Sequence, residues 1–121
     1  MTLHPFVLNV LSLLQDFAPV RARRMFGGHG IYQVDLMFAL VCNDVLYVKV
    51  DDANREVFLA NGLNSFQSDC KRDLPDGVSY HAVPVEAMTD ADVMRLWVQR
   101  GYDAAQRAAD ANRFKRRTPA G

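Results

Sequence analysis

Three histidines and two cysteines are the first side chains of this sequence to consider for nucleophilic, proton-transfer or metal chemistry. His4, His29 and His81 each stand alone, without the paired histidines or the histidine-plus-cysteine spacing that metal sites use. Cys42 and Cys70 lie far apart and belong to no CxxC pattern. No motif places a nucleophile or a carboxylate beside His29. The sequence therefore predicts no catalytic residue, no metal site and no cofactor.

The glycine-rich run Gly27-Gly28-His29-Gly30 is the most conspicuous local motif. A phosphate-binding loop of this kind leads from a strand into the N-terminus of a helix, whose N–H groups hold the anion. Here a second strand-like segment follows, so we interpret the run as a hairpin turn whose glycines adopt positive φ. His29 is then a solvated residue at the tip of the turn. A small-molecule site in a cleft beside His29 and Arg24 is an alternative interpretation.

Basic side chains form two groups that could contact anions. Arg21 and Arg23 alternate along one predicted strand, and Lys49 projects from another. Arg24 falls on the opposite side of its strand, where a charge must reach solvent, pair with a carboxylate or line a cleft. The second group is a C-terminal cluster: Arg113, Lys115, Arg116 and Arg117. Both groups favour weak nucleic-acid binding, weakened by salt, as an alternative function.

Length and composition indicate one globular domain. The chain has 121 residues, half of them hydrophobic, and a formal net charge of zero. A neutral chain is not expected to coat nucleic acid or membranes by bulk attraction. The most apolar segment, residues 6–17, is interrupted by polar residues and is shorter than the ~20 residues of a membrane span. With two cysteines and no signal peptide, we expect reduced thiols in a cytoplasmic protein.

The elements that position these side chains follow from the period of the apolar residues. Residues 5–18 predict a helix, whereas residues 20–50 alternate with a period of two and predict four short strands joined by tight turns. Residues 37–42 are apolar on both faces, so we place this strand inside the sheet. In residues 46–50 the aliphatic side chains face one way, and Tyr47 and Lys49 face the other.

Two helices and one strand complete the predicted order. A helix over residues 53–61 is capped by Asp51 and Asp52, and a fifth strand spans residues 78–83. The last helix starts at Thr89, which stands in capping-box spacing, and reaches Asn112. Its alanine-rich second half implies close contact with a neighbouring backbone. The order α-β-β-β-β-α-β-α predicts a two-layer α+β sandwich.

The first helix carries an apolar arc wider than one sheet face would cover. Asn9, Ser12 and Asp16 form a narrow polar stripe, and apolar residues occupy almost all of the remaining surface. Symmetric self-association is a common way to bury such a patch. We therefore predict a homodimer with Phe6, Val10 or Leu13 near its interface.

Three segments of the sequence together resemble the N-terminal domain of the TfoX/Sxy family, regulators of bacterial competence. They are residues 24–32, 37–40 and 46–51, and the later Phe66, Tyr80 and Trp97 fit the same pattern. The motif residues that we single out are Met25, Phe26, Gly27, Gly28, Gly30, Tyr32, Leu46, Tyr47 and Lys49. The resemblance covers residues 5–110, so we assign residues 1–112 to a TfoX N-terminal-like domain and 113–121 to a basic tail.

The resemblance implies both a fold and a role. The fold is similar to that of secretion chaperones, with a five-stranded antiparallel sheet. The role is non-enzymatic: transcriptional activation of DNA-uptake genes alongside the catabolite activator protein. Family members usually carry a second, helical C-terminal domain, so we expect this chain to be a stand-alone member or a fragment. Our first hypothesis is thus a regulatory domain that binds a protein partner.

Overall fold

An antiparallel sheet is the framework of the molecule. The computed structural model describes residues 5–15, 17, 19–25, 28–65 and 79–117, except for the side chains of 25 and 113–117. Within these residues the sheet has five strands: β1 (Arg21–Met25), β2 (Gly28–Gln33), β3 (Leu36–Cys42), β4 (Val45–Val50) and β5 (Ser79–Ala82). Their order in the sheet is their order in the chain, and neighbouring strands are antiparallel. The predicted α+β class and the inner position of β3 are confirmed.

The helices lie where the sequence predicts them. They are α1 (Pro5–Leu14), α2 (Arg55–Ala60) and α3 (Ala91–Arg117), and a 3-10 helix (Val85–Met88), which the pattern does not predict, precedes α3. The last helix continues past Asn112, so part of the predicted basic tail is helical. No helix in the described part of the chain is long and apolar enough to cross a membrane.

The start of α3 differs from the prediction. The carboxylate of Asp90 accepts hydrogen bonds from the N–H groups of Asp92 and Val93, at 2.9 and 3.3 Å. Asp90 therefore caps the helix, and the predicted cap Thr89 instead donates to the Glu86 carbonyl oxygen over 3.4 Å. Both residue types are good caps, so local sequence could not choose between them.

The core lies between the sheet and the layer of α1 and α3. Phe38 and Val48 of the sheet, Val98 of α3 and Val10 of α1 are fully buried in it. Gly101 allows α3 to approach the strands, because a Cβ there would lie 2.6 Å from the Val48 Cβ. The close contact predicted for the alanine-rich half of the last helix is confirmed by buried Ala104 and Ala105.

The apolar arc of α1 is covered mainly within the chain itself. Val7, Val10 and Leu14 are buried in the common core, where α1 contacts α3, β1 and the 3-10 helix. The expectation that Val10 lies near a dimer interface is therefore wrong, because this side chain is fully enclosed. Leu8 remains 47% exposed.

Two glycines of the Gly27–Gly30 run, Gly28 and Gly30, do not lie in the predicted turn. Gly28 and Gly30 are residues of β2, opposite Met25 and Arg23 of β1, and neither has a positive φ. The Cβ of any side chain at position 28 would lie 2.1 Å from the Val41 carbonyl oxygen. Close backbone approach, and not a left-handed conformation, is what requires glycine there. Phe26 and Gly27 lie outside the described residues.

Cys42 corrects the expectation of reduced thiols. Its sulfur is disulfide-bonded, and the described part of the chain has no free cysteine. Cys42 is buried at the end of β3, beside Leu40 and Tyr80. The chain has a single other cysteine, Cys70, which lies outside the described residues.

Candidate functional site

All the charged side chains of the described strands are basic. Within the described strands the charged side chains are Arg21, Arg23, Arg24 and Lys49, and there is no carboxylate. The carboxylates of the described residues lie in turns and helices. A chain with zero net charge therefore has a basic sheet, and this separation makes the sheet the candidate site for an anionic partner.

Alternation along the strands assigns these cations to faces. We call the side of the sheet away from α1 and α3 the outer face. Arg21 and Arg23 of β1 and Lys49 of β4 project to it, as the pairing of Arg21 with Tyr32 and of Lys49 with Tyr80 indicates. Three of the basic residues predicted to contact anions therefore lie on one face of the sheet, with β2 and β3 between the two arginines and Lys49. Arg113, Lys115, Arg116 and Arg117 lie in the part of α3 whose side chains are not described.

Arg24 and His29 lie on the other face. They are directly opposite each other in the β1–β2 pair, at the end of the sheet where β1 finishes. Arg24 is exposed and His29 is partly buried. A groove lined by described residues lies at the opposite end of β1, away from these two side chains. The small-molecule cleft beside Arg24 and His29 stays a prediction.

Arg21 is held at the start of β1 by three groups. Its guanidinium donates to the Val34 carbonyl oxygen over 3.1 Å, lies 3.6 Å from the Asp35 carboxylate, and sits 5.8 Å from the centre of the Tyr32 ring. Arg23, two residues along, is exposed and makes no hydrogen bond or ion pair with a described residue. Arg21 is thus held in position by its neighbours, whereas the exposed Arg23 could contact a partner.

A shallow groove of about 460 Å³ adjoins Arg21. Pro19, Val20, Val34 and Asp35 form the rest of its lining. Val34 is 71% exposed and has a φ of 58°, a left-handed conformation that is rare for a β-branched residue. The groove thus combines an exposed apolar side chain, Val34, with the Arg21 guanidinium, which donates to the Val34 carbonyl oxygen.

Tyrosines accompany the cations on the outer face. Tyr32 is half-buried beside Arg21, Tyr47 is half-buried on β4, and Tyr80 is buried on β5. Burial raises the pKa of Tyr80 above its ordinary value, and the nearby Tyr32 adds to the shift. Alternation in residues 46–50 predicts Tyr47 on the face opposite the aliphatic side chains, whereas the sequence analysis assigns Tyr32 only to the family motif.

Lys49 is the least solvated cation of the face. Its ammonium group lies 6.0 Å from the centre of the Tyr80 ring. Burial lowers the pKa of Lys49, and the carboxylate of Asp51 offsets part of this effect. A bound anion would stabilise the charged form of this side chain, as Asp51 already does.

A buried amide holds the backbone of Lys49 in place. The Asn54 side chain donates to the carbonyl oxygens of Lys49 and Arg100, at 3.3 and 3.1 Å, and accepts from the Asp51 N–H at 2.8 Å. It thereby joins β4, α2 and α3. Sequence reasoning missed Asn54, because all three partners of its side chain are backbone atoms and one of them lies 46 residues away.

The described histidines, His29 and His81, do not lie close together in the structure. His81 is buried, and its Nδ1 lies 2.9 Å from the Leu63 carbonyl oxygen, which favours a proton on that nitrogen. His29 lies on β2, and the strands β3 and β4 separate it from His81 on β5. Among the described residues, no group of three or more histidines, cysteines and carboxylates could hold a metal ion. His4 lies outside the described residues.

Residues 12–105 match the TfoX N-terminal domain, which is most of the chain. The chain belongs to the TfoX N-terminal domain family. No curated protein matches the sequence.

The motif that carries this TfoX N-terminal resemblance has a structural explanation. Met25, Gly28 and Gly30 form the β1–β2 hairpin, and Gly28 permits the close approach of β3. Leu46 enters the core, whereas Tyr47 and Lys49 face outward beside it. The motif therefore specifies the packing of the sheet and also the aromatic and basic composition of its outer face.

Proposed function

We propose that the chain is a non-enzymatic regulatory domain that acts in transcription by binding a protein partner. Its membership of the TfoX N-terminal domain family supports a regulatory role. The observation that carries the proposal is the exposed arginine pair, Arg21 and Arg23, on a strand at the edge of a sheet that has no carboxylates. Such an arrangement favours an anionic partner.

The proposed partner is a transcription factor, with the catabolite activator protein as the first candidate. The proposed location is accordingly the cytoplasm. Disulfides are rare in that compartment, so the disulfide of Cys42 would make this protein unusual there.

Deletion of the gene in the organism that encodes the chain tests the regulatory role. We expect transcripts of DNA-uptake genes to fall, and to recover when the wild-type chain is supplied. The double variant Arg21→Glu, Arg23→Glu should accumulate normally but fail to restore them. Unchanged transcript levels after deletion would reject the proposal.

Weak nucleic-acid binding is the second candidate, and one observation favours it. The outer face carries three cations, Arg21, Arg23 and Lys49, and two aromatic rings, Tyr32 and Tyr47. Proteins that bind single-stranded nucleic acid combine basic and aromatic side chains in this way. Fluorescence anisotropy with a labelled ten-nucleotide thymidine strand tests it. Binding by this mode would weaken steeply with salt and on removal of residues 113–121.

A further inference from the structure

We infer that the edge of β1 binds an acidic, extended segment of the protein partner, which joins the sheet as a sixth strand. The inference rests on the proposed function and names the chemistry of the partner. β1 lies at one edge of the sheet and, among the described strands, pairs with β2 alone. An edge strand presents backbone N–H and C=O groups with which another extended chain can pair.

β1 lacks most of the features that block such pairing. All five of its residues pair in continuous register with β2, from Arg21 opposite Tyr32 to Met25 opposite Gly28, with no bulge. The strand contains no proline. Natural edge strands are protected by bulges, prolines or charges, and here the protection consists of arginines. The positive charge of β1 repels a basic incoming strand and attracts an acidic one. It therefore determines which kind of strand can pair with this edge.

The arginines disfavour a second copy of β1 as that occupant. An antiparallel pair centred on Arg23 would place Arg23 opposite its own copy, and like charges directly opposite each other destabilise a strand pair. Carboxylates at the same positions would form favourable cross-strand ion pairs with the arginines. Arg21 already has one carboxylate at 3.6 Å, that of Asp35, whose side chain is 95% exposed and is easily replaced.

The sequence of β1 fixes the pattern of the incoming strand. Residues opposite Arg21, Arg23 and Arg24 should be acidic, and the residue opposite Ala22, on the face towards α1, should be apolar. In the incoming strand, the residue that follows the one opposite Arg21 would lie opposite Val20, over the groove, and should also be apolar. An antiparallel segment therefore reads acidic, acidic, apolar, acidic, apolar from its N-terminus.

Fluorescence anisotropy with a labelled peptide of this pattern, built from glutamate and valine, tests the inference on the full chain. We expect saturable binding that Arg23→Glu weakens by at least about tenfold. The matched control is Arg95→Glu, which makes the same charge change at an exposed position of α3 and should leave binding unchanged. A peptide N-methylated at alternate residues, which loses its backbone donors on one edge, should bind weakly.

Each other result overturns the inference. Equal loss of binding in the Arg95→Glu variant would mean non-specific attraction, and unaltered binding of the N-methylated peptide would mean that no strand is added. Tighter, Arg23-dependent binding of a ten-nucleotide thymidine strand would assign the surface to nucleic acid. Absence of peptide binding, with normal circular dichroism of the chain, would reject the acidic segment. The proposed function fails separately, if deletion of the gene leaves transcription unchanged.

Discussion

Gly28 shows at the residue scale how one missing side chain permits the packing of two strands. Asparagine tolerates positive φ and replaces glycine at such positions with little loss. At Gly62, where φ is +68° and no atom lies within 4 Å of a Cβ, we expect Gly62→Asn to be nearly neutral. Gly28→Asn should destabilise the fold by about 3 kcal/mol, because its Cβ would meet the Val41 carbonyl oxygen. Urea unfolding of both variants measures this, and equal midpoints would contradict it.

The ion pair of Asp51 and Arg107 makes stability depend on pH. The hydrogen bond from Arg107 lowers the pKa of Asp51, and burial opposes this in part; the two pairs of atoms lie 2.7 and 2.9 Å apart. Because the folded pKa is depressed, the stabilisation is present above the unfolded value of about 3.9 and is lost as pH falls through the folded pKa.

We therefore expect Arg107→Gln to cost about 0.5–1 kcal/mol at neutral pH, the range of a partly exposed pair. The difference from wild type should disappear in acid, once Asp51 is protonated. Arg95→Gln, at an exposed site of α3 without an ion pair to a described residue, is the control. Urea midpoints between pH 7 and pH 2 measure the effect, and a constant difference between Arg107→Gln and wild type would show that the pair is not its source.

At the element scale, the contact of α3 with the sheet depends on Gly101. Alanine is favoured over glycine in a helix by about 1 kcal/mol, yet a Cβ at position 101 would meet Val48 at 2.6 Å and the Phe38 carbonyl oxygen at 3.0 Å. We expect Gly101→Ala to lose about 1–3 kcal/mol overall. Ala111→Gly, at an exposed position of the same helix, should lose about 1 kcal/mol by propensity alone. Stabilisation by Gly101→Ala, measured by thermal unfolding, would contradict this packing.

The sequence predicts these elements well where a pattern is local. Apolar residues on both faces placed β3 inside the sheet, and alternation in β4 separated Leu46 from Tyr47. Local sequence patterns do not predict contacts between segments that are distant in the chain. Gly28 was assigned to a turn because glycine is rare in strands, and the approach of Val41 that requires it depends on strand pairing. The hydrogen bond of Asn54 to the Arg100 carbonyl oxygen depends in the same way on segments far apart in the chain.

For the whole molecule, the homodimer stays a prediction, and the surface of α1 that could form its interface is smaller than the sequence predicts. Val7, Val10 and Leu14 of α1 are enclosed in the chain's own core, so a dimer through this helix would use Leu8, which is 47% exposed, and the partly buried Phe6 and Leu13. Sedimentation velocity at micromolar concentration should then give a dimer that Leu8→Glu converts into a folded monomer. A wild-type monomer would show that α1 serves only the core.

The central claim is that the molecule regulates transcription by binding a partner through the basic edge strand β1. Transcripts of DNA-uptake genes, measured in a deletion strain supplied with wild-type, Arg21→Glu/Arg23→Glu or Arg95→Glu chains at equal levels, test it most directly. We predict recovery with the wild-type and Arg95→Glu chains and none with the double variant. Full recovery with the double variant would contradict the claim.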